Sequence, residues 1–549
     1  IKMQPVRMEY QGYILNLIDT PGHVDFSYEV SRALAAVEGA VLLVDITKGI
    51  QAQTIYNLEL ARAQGLVIIP AVNKIDLIDD VHAQEDSLAE LANLLGINPS
   101  AILKISAKLG TNCDVLLKEI ISTIPAPKTR EKQSPPHVFR ALIFDSKYDS
   151  YKGIVAYVRI MEGEVKNNDD IYLIAAETGC KIKELGYFSP NFLPKVSLAA
   201  GEIGYIATGI KEPGKVRVGE TITKVSNVKS ETSKLTPLLG YLDPKPMVFA
   251  SIYPENPNDF EFLRDSLSKL KLNDAALIYE PEVQPALGRG FSCGFLGSLH
   301  AEIVAERLKR EFGLDIIVST PSVLYKAIDK SGKEILIKSA SDWQNHLNSV
   351  ETQEPWIKLE IITPARFLGQ ILELLDTIES RHTETKYLSA EKIMLVYEAP
   401  LRNIISGFYD HLKSASQGYA SMNYDLLNYR KRELVKLDIL IAGRQEEAFS
   451  KIVPENSAFK EGRKIVTKLK EIMPPQMFAV PLQAAVGGKI VARETLGAKR
   501  KDVLAPLYGG DYSRKRKLLE KQKKGKEKLR TRGQLRIPPK VFLDIFKSQ

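Results

Sequence analysis

The sequence predicts a multidomain protein that combines an α/β domain, a β-barrel and two α+β domains with a basic C-terminal domain. Its 549 residues are too many for one hydrophobic core, and they divide into regions with different strand and helix patterns. Apolar strands alternate with amphipathic helical patterns at the start, short strands broken by turns follow, and two stretches of mixed order come next. The composition, 44% hydrophobic and 26% charged, is ordinary for folded domains and excludes disorder on a large scale.

Residues 1–127 form the predicted α/β domain. The predicted strands are Tyr13–Ile18, Ala40–Ile46, Leu66–Val72 and Ile102–Ser106. The predicted helices are Ser27–Val37, Gln53–Gln64, Gln84–Leu95 and Val115–Ile124. Buried apolar strands that alternate with helices are typical of a parallel sheet covered by helices on both faces.

A proline-rich linker at 125–136 separates this domain from the predicted β-barrel at 137–232. Short strands that are broken by Gly and by Asp/Asn turns, such as Lys166–Asp170, favour a barrel in this region.

Two similar α+β stretches follow at 245–325 and 354–440, and 441–549 is the last domain. Each stretch begins with a strand and continues into a helix with an apolar stripe, and each then has more strands and a second helix. The predicted first strands and second helices are Val248–Tyr253 and Leu296–Phe312 in one stretch, and Trp356–Ile362 and Leu401–Ser414 in the other. This βαβ-type order fits two ferredoxin-like domains.

Positive charge is concentrated at the C-terminal end. Residues 499–549 hold 17 Lys/Arg and five Asp/Glu, whereas the rest of the chain holds 58 and 62, so the net charge of +8 comes from the tail. The three cysteines, Cys113, Cys180 and Cys293, are far apart, which argues against a disulfide framework or a zinc site. No apolar run approaches the roughly 18 residues of a membrane span.

Three short motifs lie at predicted strand ends of the α/β domain. They are Asp19–His23 (DTPGH), Asn73–Asp76 (NKID) and Ser106–Lys108 (SAK). Because a ligand of an open parallel sheet lies outside the carboxyl ends of the strands, we expect the three motifs to converge on one edge. A lone NKID is often an ordinary turn and SAK alone means little, but all three in this order point to a nucleotide site.

The chemistry of these residue types fits a guanine nucleotide with Mg²⁺. Asp19 is suited to holding Mg²⁺ through water, and Gly22 allows a backbone N–H to approach the γ-phosphate closely. His23 is placed to orient the attacking water. The predicted GTP- and Mg²⁺-binding residues are Asp19, Thr20, Pro21, Gly22 and His23.

The other two motifs supply the predicted guanine contacts. Asp76 offers two acceptors that match the N1–H and exocyclic amine of guanine, a pair of donors that adenine lacks. The predicted guanine-binding residues are Asn73, Lys74, Asp76, Ser106, Ala107 and Lys108.

The three motifs resemble those of translation-factor GTPases, and the chain as a whole resembles the elongation factor 4, or LepA, family. The segments that carry this resemblance are DTPGHVDFSYEVSR at 19–32, FSCGFLG at 291–297, LKSASQGYAS at 412–421 and YGGDYSRKRK at 508–517. The resemblance implies a P-loop-type GTPase domain, a translation-factor barrel, two domains like those of elongation factor G and a C-terminal domain peculiar to the family. It also implies GTP hydrolysis on the ribosome, with contacts to rRNA at the factor-binding site of the large subunit and to tRNA. Back-translocation and accurate synthesis under stress are the implied roles.

One family feature does not occur in this sequence. No G-x-x-x-x-G-K-[ST] is found in the 549 residues, and the switch threonine expected just before Ile1 is missing. We therefore expect the sequence to be an N-terminally truncated piece of a longer chain, and we expect this piece by itself to bind GTP poorly. The alternative is a non-catalytic ribosome- or RNA-binding protein that has lost GTP turnover.

Two further patterns have competing interpretations. Gly290–Gly294 matches the G-x-S-x-G of serine hydrolases, with His300 nearby, but the order of residues and the surrounding elements do not fit that class. The basic run Arg514–Arg536 is either a solvated tail or an RNA-contacting arm, and the resemblance favours the arm. The predicted RNA-contacting residues are Tyr508, Arg514, Lys515, Arg516, Lys517, Lys521, Lys523 and Lys524.

The resemblance also sets expectations for location and assembly. We expect a cytoplasmic monomer that has no DNA partner and no membrane-spanning segment. Peripheral association with a membrane through the basic tail and an organellar location are both left open.

Overall fold

The computed structural model describes residues 3–78, 80–127, 138–149, 151–189, 191–212, 214–226, 237–238, 246–274, 276–285, 287–346, 349–389, 391–476, 478–498, 512–513, 515–522, 537–538 and 541–542. The order of elements in these residues is α/β, then all-β, then α+β. The predicted fold class is therefore confirmed. Within the described part of the chain, no helix is both long enough and apolar enough to cross a membrane.

The N-terminal region contains a parallel sheet of three strands in the order β3-β4-β5. The strands of this region are β1 (Gln4–Tyr10), β2 (Tyr13–Asp19), β3 (Gly39–Asp45), β4 (Val67–Asn73) and β5 (Leu103–Lys104). Its helices are α1 (Ser27–Ala35), α2 (Ala52–Ala63), α3 (Val81–Leu95) and α4 (Cys113–Thr123). Because β3 and β4 pair in register from Gly39↔Val67 to Asp45↔Asn73, the ends of these two strands lie side by side.

Strand β2 does not join this sheet, which corrects the expectation that all three motifs extend from one sheet. It pairs antiparallel with β1 instead, through the turn Gln11-Gly12, where both residues have positive φ. Such a two-residue turn makes a local hairpin that satisfies one edge of each strand. Among the described residues no strand bridges β2 to β3, and Leu17 and Leu43 on these strands are about half exposed.

The second region is an antiparallel sheet of eight strands in the order β10-β9-β15-β6-β7-β14-β11-β12, with a separate pair β8-β13. Its strands are β6 (Arg140–Asp149), β7 (Gly153–Glu162), β8 (Glu164–Lys166), β9 (Asp170–Leu173), β10 (Thr178–Lys181), β11 (Glu184–Ser189), β12 (Asn191–Lys195), β13 (Ser197–Ala199), β14 (Ile203–Ala207) and β15 (Thr221–Lys224). Leu173 on β9 and Leu185 on β11 lie near opposite ends of the sheet but belong to one apolar core. The sheet is therefore curled around that core, as a barrel-type domain requires.

The third region is an α+β unit with the sheet order β17-β18-β16-β19. Its elements are β16 (Val248–Pro254), α5 (Phe260–Asn273), β17 (Ile278–Gln284), β18 (Gly288–Phe295), α6 (Ser298–Phe312), β19 (Ile316–Val318) and β20 (Ser322–Val323). The sequence βαββαβ with this strand order is a ferredoxin-like arrangement.

The fourth region repeats this plan, with β26, β23, β25 and β24 side by side in that order and the pair β21-β22 beside β23. Its elements are β21 (Tyr325–Asp329), β22 (Glu334–Ile337), β23 (Ser349–Pro364), α7 (Leu368–Asp376), β24 (Arg381–Tyr387), β25 (Lys392–Pro400), α8 (Leu401–Ile405), α9 (Phe408–Ala415) and β26 (Ser421–Lys431). The helix predicted as one element at Leu401–Ser414 is two helices. Gly407, with a φ of 79°, breaks it, because a left-handed residue cannot continue a right-handed helix.

The last region packs one helix on an antiparallel sheet. Its elements are β27 (Leu434–Ile441), β28 (Arg444–Gln445), β29 (Lys451–Pro454), α10 (Ala458–Ile472), β30 (Val480–Val486) and β31 (Lys489–Leu496). Phe542 stacks on Phe449 with ring centroids 4.7 Å apart, so the far end of the chain returns to this core. Residues 515–522 of the basic tail are helical.

The two parts of the N-terminal region pack on different neighbours. The parallel sheet shares an apolar core with Ile362, Met394 and Val396 of the fourth region. The β1-β2 hairpin instead packs against the barrel, where Arg7 forms an ion pair with Glu202 at 3.0 Å. Helix α1 lies between the two parts, because its Ala33 faces the barrel core while its Val30 and Leu34 pack with Ala61 of α2.

Candidate nucleotide-binding site

Hydrogen bonds hold the second and third motifs together at the edge of the parallel sheet. Asn73 ends β4, and its Oδ1 accepts the backbone N–H of Lys74 at 2.8 Å and that of Ala107 at 3.0 Å. The hydroxyl of buried Ser106 donates to Asp76 Oδ1 at 2.6 Å. These contacts fix the Asp76 carboxylate beside the loop that contains Ala107. We call Asn73, Asp76, Ser106 and Ala107, which the sequence predicts to contact guanine, the guanine half of the candidate site.

Lys74 adopts a left-handed backbone conformation with a φ of 67°, which turns the chain sharply after the strand. Its Nζ lies 2.7 Å from Oδ2 of Asp45, the last residue of the neighbouring strand β3. Burial alone would raise the pKa of Asp45, but hydrogen bonds from Lys74 and Thr47 outweigh it, so the net shift is downward. Asp45 is therefore ionised near neutral pH and holds Lys74 in place, a role that the motifs did not reveal.

The first motif begins where β2 ends, and it is more open. Asp19, Thr20 and Gly22 are exposed. A Cβ built on Gly22 would meet no atom within 4 Å, and its backbone is not left-handed. Neither packing nor backbone conformation explains a glycine here.

His23 is partly buried, and the fourth region contacts its ring. Its ring contacts Tyr409 on α9 edge to face, with centroids 5.8 Å apart, and its Nδ1 accepts the N–H of Asp25 at 3.3 Å. Burial lowers the pKa of His23; the charge of Asp25 opposes this shift, and that of Lys413 adds to it. The imidazole is therefore mainly neutral near neutral pH, as a group that orients water by accepting a hydrogen bond requires.

The structure thus divides the predicted site residues into two groups. Lys108, Lys74 and the guanine half lie together at one sheet edge, while Asp19 to His23 follow a strand of the separate hairpin. The described residues contain no cluster of three or more His, Cys, Asp or Glu side chains suited to holding a metal ion. A Mg²⁺ held by one carboxylate and by phosphate oxygens needs no such cluster.

The serine-hydrolase interpretation of Gly290–Gly294 has no geometric support. These residues lie inside strand β18, which pairs with β16 and β17, whereas a nucleophile elbow is a sharp turn between a strand and a helix. His300 Nδ1 accepts the Leu296 N–H, and Nε2 lies 2.8 Å from Asp274 Oδ2.

The glycines of this segment serve packing instead. A Cβ on Gly290 would strike the Tyr253 ring, and one on Gly294 would strike Ile278 and Phe249. Of the glycines at 290, 294 and 297, only Gly297 lies at the start of α6, where a Cβ would strike Asp25.

Half of the predicted RNA-contacting residues lie in described parts of the tail. Lys515, Arg516, Lys517 and Lys521 belong to the helical stretch 515–522, where Arg516 forms an exposed ion pair with Glu520. Tyr512, just before it, is 77% exposed. Tyr508, Arg514, Lys523 and Lys524 are outside the described residues.

Known protein families match four parts of the chain. The elongation factor Tu GTP-binding domain matches residues 1–126, and elongation factor G domain III matches residues 244–320. The elongation factor G C-terminus matches residues 351–440, and the C-terminus of the GTP-binding protein LepA matches residues 441–547.

Whole-chain relatives agree with these matches. The chain is 46% identical over 553 residues to elongation factor 4 of Alkaliphilus oremlandii and 47% identical over 555 residues to that of Clostridium acetobutylicum. Both alignments cover all of this chain and 90% of the relative. The chain belongs to the elongation factor 4 (LepA) family. Members of the family are translation-factor GTPases, so the chain is a ribosome-dependent, GTP-hydrolysing translation factor, and the non-catalytic alternative is not favoured.

A solved structure supports the fold alone. A crystal structure of a protein from Thermus thermophilus superposes with a TM-score of 0.53 at 15% identity, covering 78% of this chain and 89% of the other. The overall architecture of this chain is therefore shared with a protein of low sequence identity.

Proposed function

We propose that this factor hydrolyses GTP with His23 as the residue that orients the attacking water, and that Asp76 selects the guanine base. Lys74, Asn73, Ser106, Ala107 and Lys108 complete the base site in this proposal. The observation that carries it is the hydrogen-bonded guanine half, in which Ser106 and Ala107 are tied to Asp76 and Asn73. A carboxylate held at a sheet edge by a buried hydroxyl is already positioned for two donors of a base, so binding has less side-chain entropy to overcome.

Asp19 and Gly22 fit a phosphate group with Mg²⁺. Asp19 is exposed at the end of a strand, where its carboxylate is free to hold a hydrated cation. The open space at Gly22, which no packing explains, suits a backbone N–H that approaches a phosphate oxygen. When bound, Mg²⁺ would supply charge neutralisation on the phosphate oxygens. Thr20 and Pro21 connect these two positions.

His23 acts in this proposal as a neutral acceptor. Its lowered pKa keeps one imidazole nitrogen free of a proton near neutral pH. That nitrogen is Nδ1, which here accepts the Asp25 N–H, so this contact must be released before the ring accepts a hydrogen bond from water. In the described arrangement the ring lies against Tyr409, so a movement of the first motif must accompany its approach to the nucleotide.

The wider role follows from the family and from charge. We infer action on translating ribosomes after translocation, with back-translocation and accurate synthesis under stress as its outcome, in the cytoplasm. The basic tail supports contacts with rRNA or tRNA phosphates, because its positive charges would release counterions from RNA.

Replacement of His23 tests the catalytic assignment. In the protein translated from its whole reading frame, His23→Ala should reduce ribosome-stimulated GTP turnover by about two to four orders of magnitude. The affinity for GTP should stay near that of the wild type, because the guanine half is untouched. Single-turnover hydrolysis with purified ribosomes measures the first quantity, and titration with a fluorescent GTP analogue measures the second.

His382→Ala is the matched control, since His382 is an exposed histidine on β24, in a different region from the motifs. It should keep wild-type turnover. If His23→Ala also keeps turnover within a few fold of the wild type, His23 does not orient the water.

A further inference from the structure

One carboxylate connects the His23 segment to both ferredoxin-like regions. Asp25, two residues after His23, is only 7% exposed. Its Oδ2 accepts the backbone N–H groups of Leu299 at 2.9 Å and His300 at 3.3 Å. Its Oδ1 accepts the Tyr424 hydroxyl at 3.3 Å. Leu299 and His300 open helix α6 of the third region, and Tyr424 belongs to β26 of the fourth.

The contact with α6 replaces a missing helix cap. The first N–H groups of a helix have no partner inside it, and a side chain just before the helix usually accepts one of them. Gly297 occupies that position and has no side chain to offer. Asp25 supplies the acceptor from 274 positions away in the chain, and its negative charge is favourable at the positive end of the helix dipole.

The contact with Asp25 leaves no room for a side chain at position 297. A Cβ at Gly297 would lie 2.2 to 2.4 Å from the carboxylate atoms of Asp25, far inside van der Waals distance. Its φ of −162° is extended and open to any residue, so the backbone does not demand glycine. The Asp25 carboxylate is what excludes a side chain at this position.

Tyr424 and the neighbouring rings complete the junction. Burial and, after it, the charge of Asp25 raise the pKa of Tyr424, so its hydroxyl stays protonated and donates. Phe26 lies edge-on to the His300 ring at 6.2 Å, and His23 lies edge-on to Tyr409 at 5.8 Å. Phe26 and His23, on either side of Asp25, therefore pack against the same third and fourth regions that Asp25 contacts.

We propose that Asp25 is a positioning residue that fixes the location of His23 relative to the two ferredoxin-like regions. Hydrogen bonds to a charged group are stronger than neutral ones, and this junction is largely shielded from water. Two residues of chain span at most about 7 Å, so a displacement of Asp25 must also displace His23. A movement of α6 or β26 is thereby transmitted to His23. The effect of such a movement on turnover rests on the proposed role of His23. The contact of Asp25 with α6 and β26 does not depend on that role.

The contact is tested by a double-mutant cycle in this chain. Asp25→Ala and Gly297→Ala should each speed hydrogen exchange at the amides of Leu299 and His300 by about tenfold, because each removes the same cap. Together they should have no more effect than either alone, since the added methyl group then meets no carboxylate. Exchange measured by mass spectrometry on peptides from α6 gives the four rates.

Gly369→Ala is the matched control, because a Cβ at Gly369 meets nothing within 4 Å. It should leave exchange in α6 unchanged. If the effects of Asp25→Ala and Gly297→Ala multiply in the double variant, the two residues act independently and the inference is overturned.

The positioning role is tested by turnover in the protein from the whole reading frame. Asp25→Asn keeps the shape of the side chain but loses its charge, and it should lower ribosome-stimulated kcat about tenfold at unchanged KM for GTP. Tyr424→Phe removes one hydrogen bond and should lower kcat by a smaller factor, about threefold. A purely structural defect would instead lower the fraction of active protein and the thermal midpoint together.

The outcomes separate the two proposals. If Asp25→Asn keeps wild-type kcat while His23→Ala is inactive, the positioning role is wrong and the proposed function stands. If His23→Ala is also fully active, the proposed function has failed as well, and the positioning role falls with it. In that case a coupled exchange cycle still establishes the contact.

Discussion

The guanine half and the His23 segment of the candidate site are held in different ways. The guanine half is tied by hydrogen bonds among residues of its own domain, Asn73 to Ala107 and Asp76 to Ser106. The His23 segment is held from outside, by Tyr409 and Tyr424 of the fourth region and by α6 of the third. The proposed base site is thus built within one domain, whereas the position of His23 depends on how three regions are arranged.

This difference offers a physical route for stimulation by the ribosome. A partner that shifts the ferredoxin-like regions changes the contacts of Asp25 and Tyr409, and so it alters the position of His23 without touching the base site. If the two halves are independent in this way, variants in one half should leave the other unaffected.

After the loss of turnover expected for His23→Ala, the largest expected effect is that of Asp76→Asn on nucleotide affinity. The substitution removes the charge and presents a donor where guanine also has a donor, so GTP affinity should fall about a hundredfold. Xanthosine triphosphate carries a carbonyl in place of the guanine amine, and it should bind the variant better than GTP does. Competition titrations with the two nucleotides, in the protein from the whole reading frame, measure both affinities.

Turnover by Asp76→Asn decides whether the guanine half and the His23 segment are independent. With saturating xanthosine triphosphate, Asp76→Asn should show a ribosome-stimulated kcat near that of the wild type with GTP. Ser122→Ala, at an exposed hydroxyl on α4, is a control that should alter neither affinity nor turnover. A much lower kcat for the rescued variant would mean that the guanine half also positions His23, and the division into halves would be wrong.

A smaller effect is expected from removal of 510–536, which carries much of the basic tail. Ribosome affinity should fall roughly tenfold at low salt, and the dependence of affinity on salt should become less steep, because fewer counterions are released. GTP affinity should not change, since the tail belongs to neither half. Ribosome pelleting at a series of salt concentrations measures the slope, and an unaltered slope would identify the tail as an ordinary solvated segment.

Much of this arrangement is predictable from sequence, for reasons that lie in particular residues. The apolar runs Ala40–Ile46 and Leu66–Val72 form two neighbouring strands of the parallel sheet, and their pattern predicts these strands within one residue or two at each end. Asn73 and Asp76 follow such a strand directly, so their place at the sheet edge is fixed by local sequence. The two ferredoxin-like regions were predictable because each repeats the same order of elements.

The rest depends on contacts that are distant in the chain. Nothing near Asp25 indicates that it caps a helix 274 positions later, and Gly297 gains its meaning only from that carboxylate. The placement of β2 was missed because the pairing of a strand depends on which neighbours are available, not on its own pattern. The break at Gly407 was readable in principle, since glycine in a helical pattern often marks an end.

The smallest expected effect concerns the protonation of His23, and it tests how far another region controls this side chain. Tyr409→Ala opens the face of the imidazole to water, so the pKa of His23 should rise toward its ordinary value of about 6.5. Asp25 and Lys413 still face the ring, so their opposing effects remain. Titration of the His23 ring protons by NMR, in protein with labelled histidine, reports the change, and Tyr387→Ala on exposed β24 is a control that should not alter it.

The same substitution has a consequence for stability with a definite sign. Because the folded-state pKa of His23 is lowered, the unfolded chain binds the proton more readily, and His23 costs stability as pH falls below about 6.5. Tyr409→Ala should reduce this loss, so its thermal midpoint should depend less on pH between about 7 and about 5 than that of the wild type. An unchanged titration of His23 would mean that Tyr409 does not control it, and the contrast between a locally built base site and a remotely held histidine would then rest on Asp25 alone.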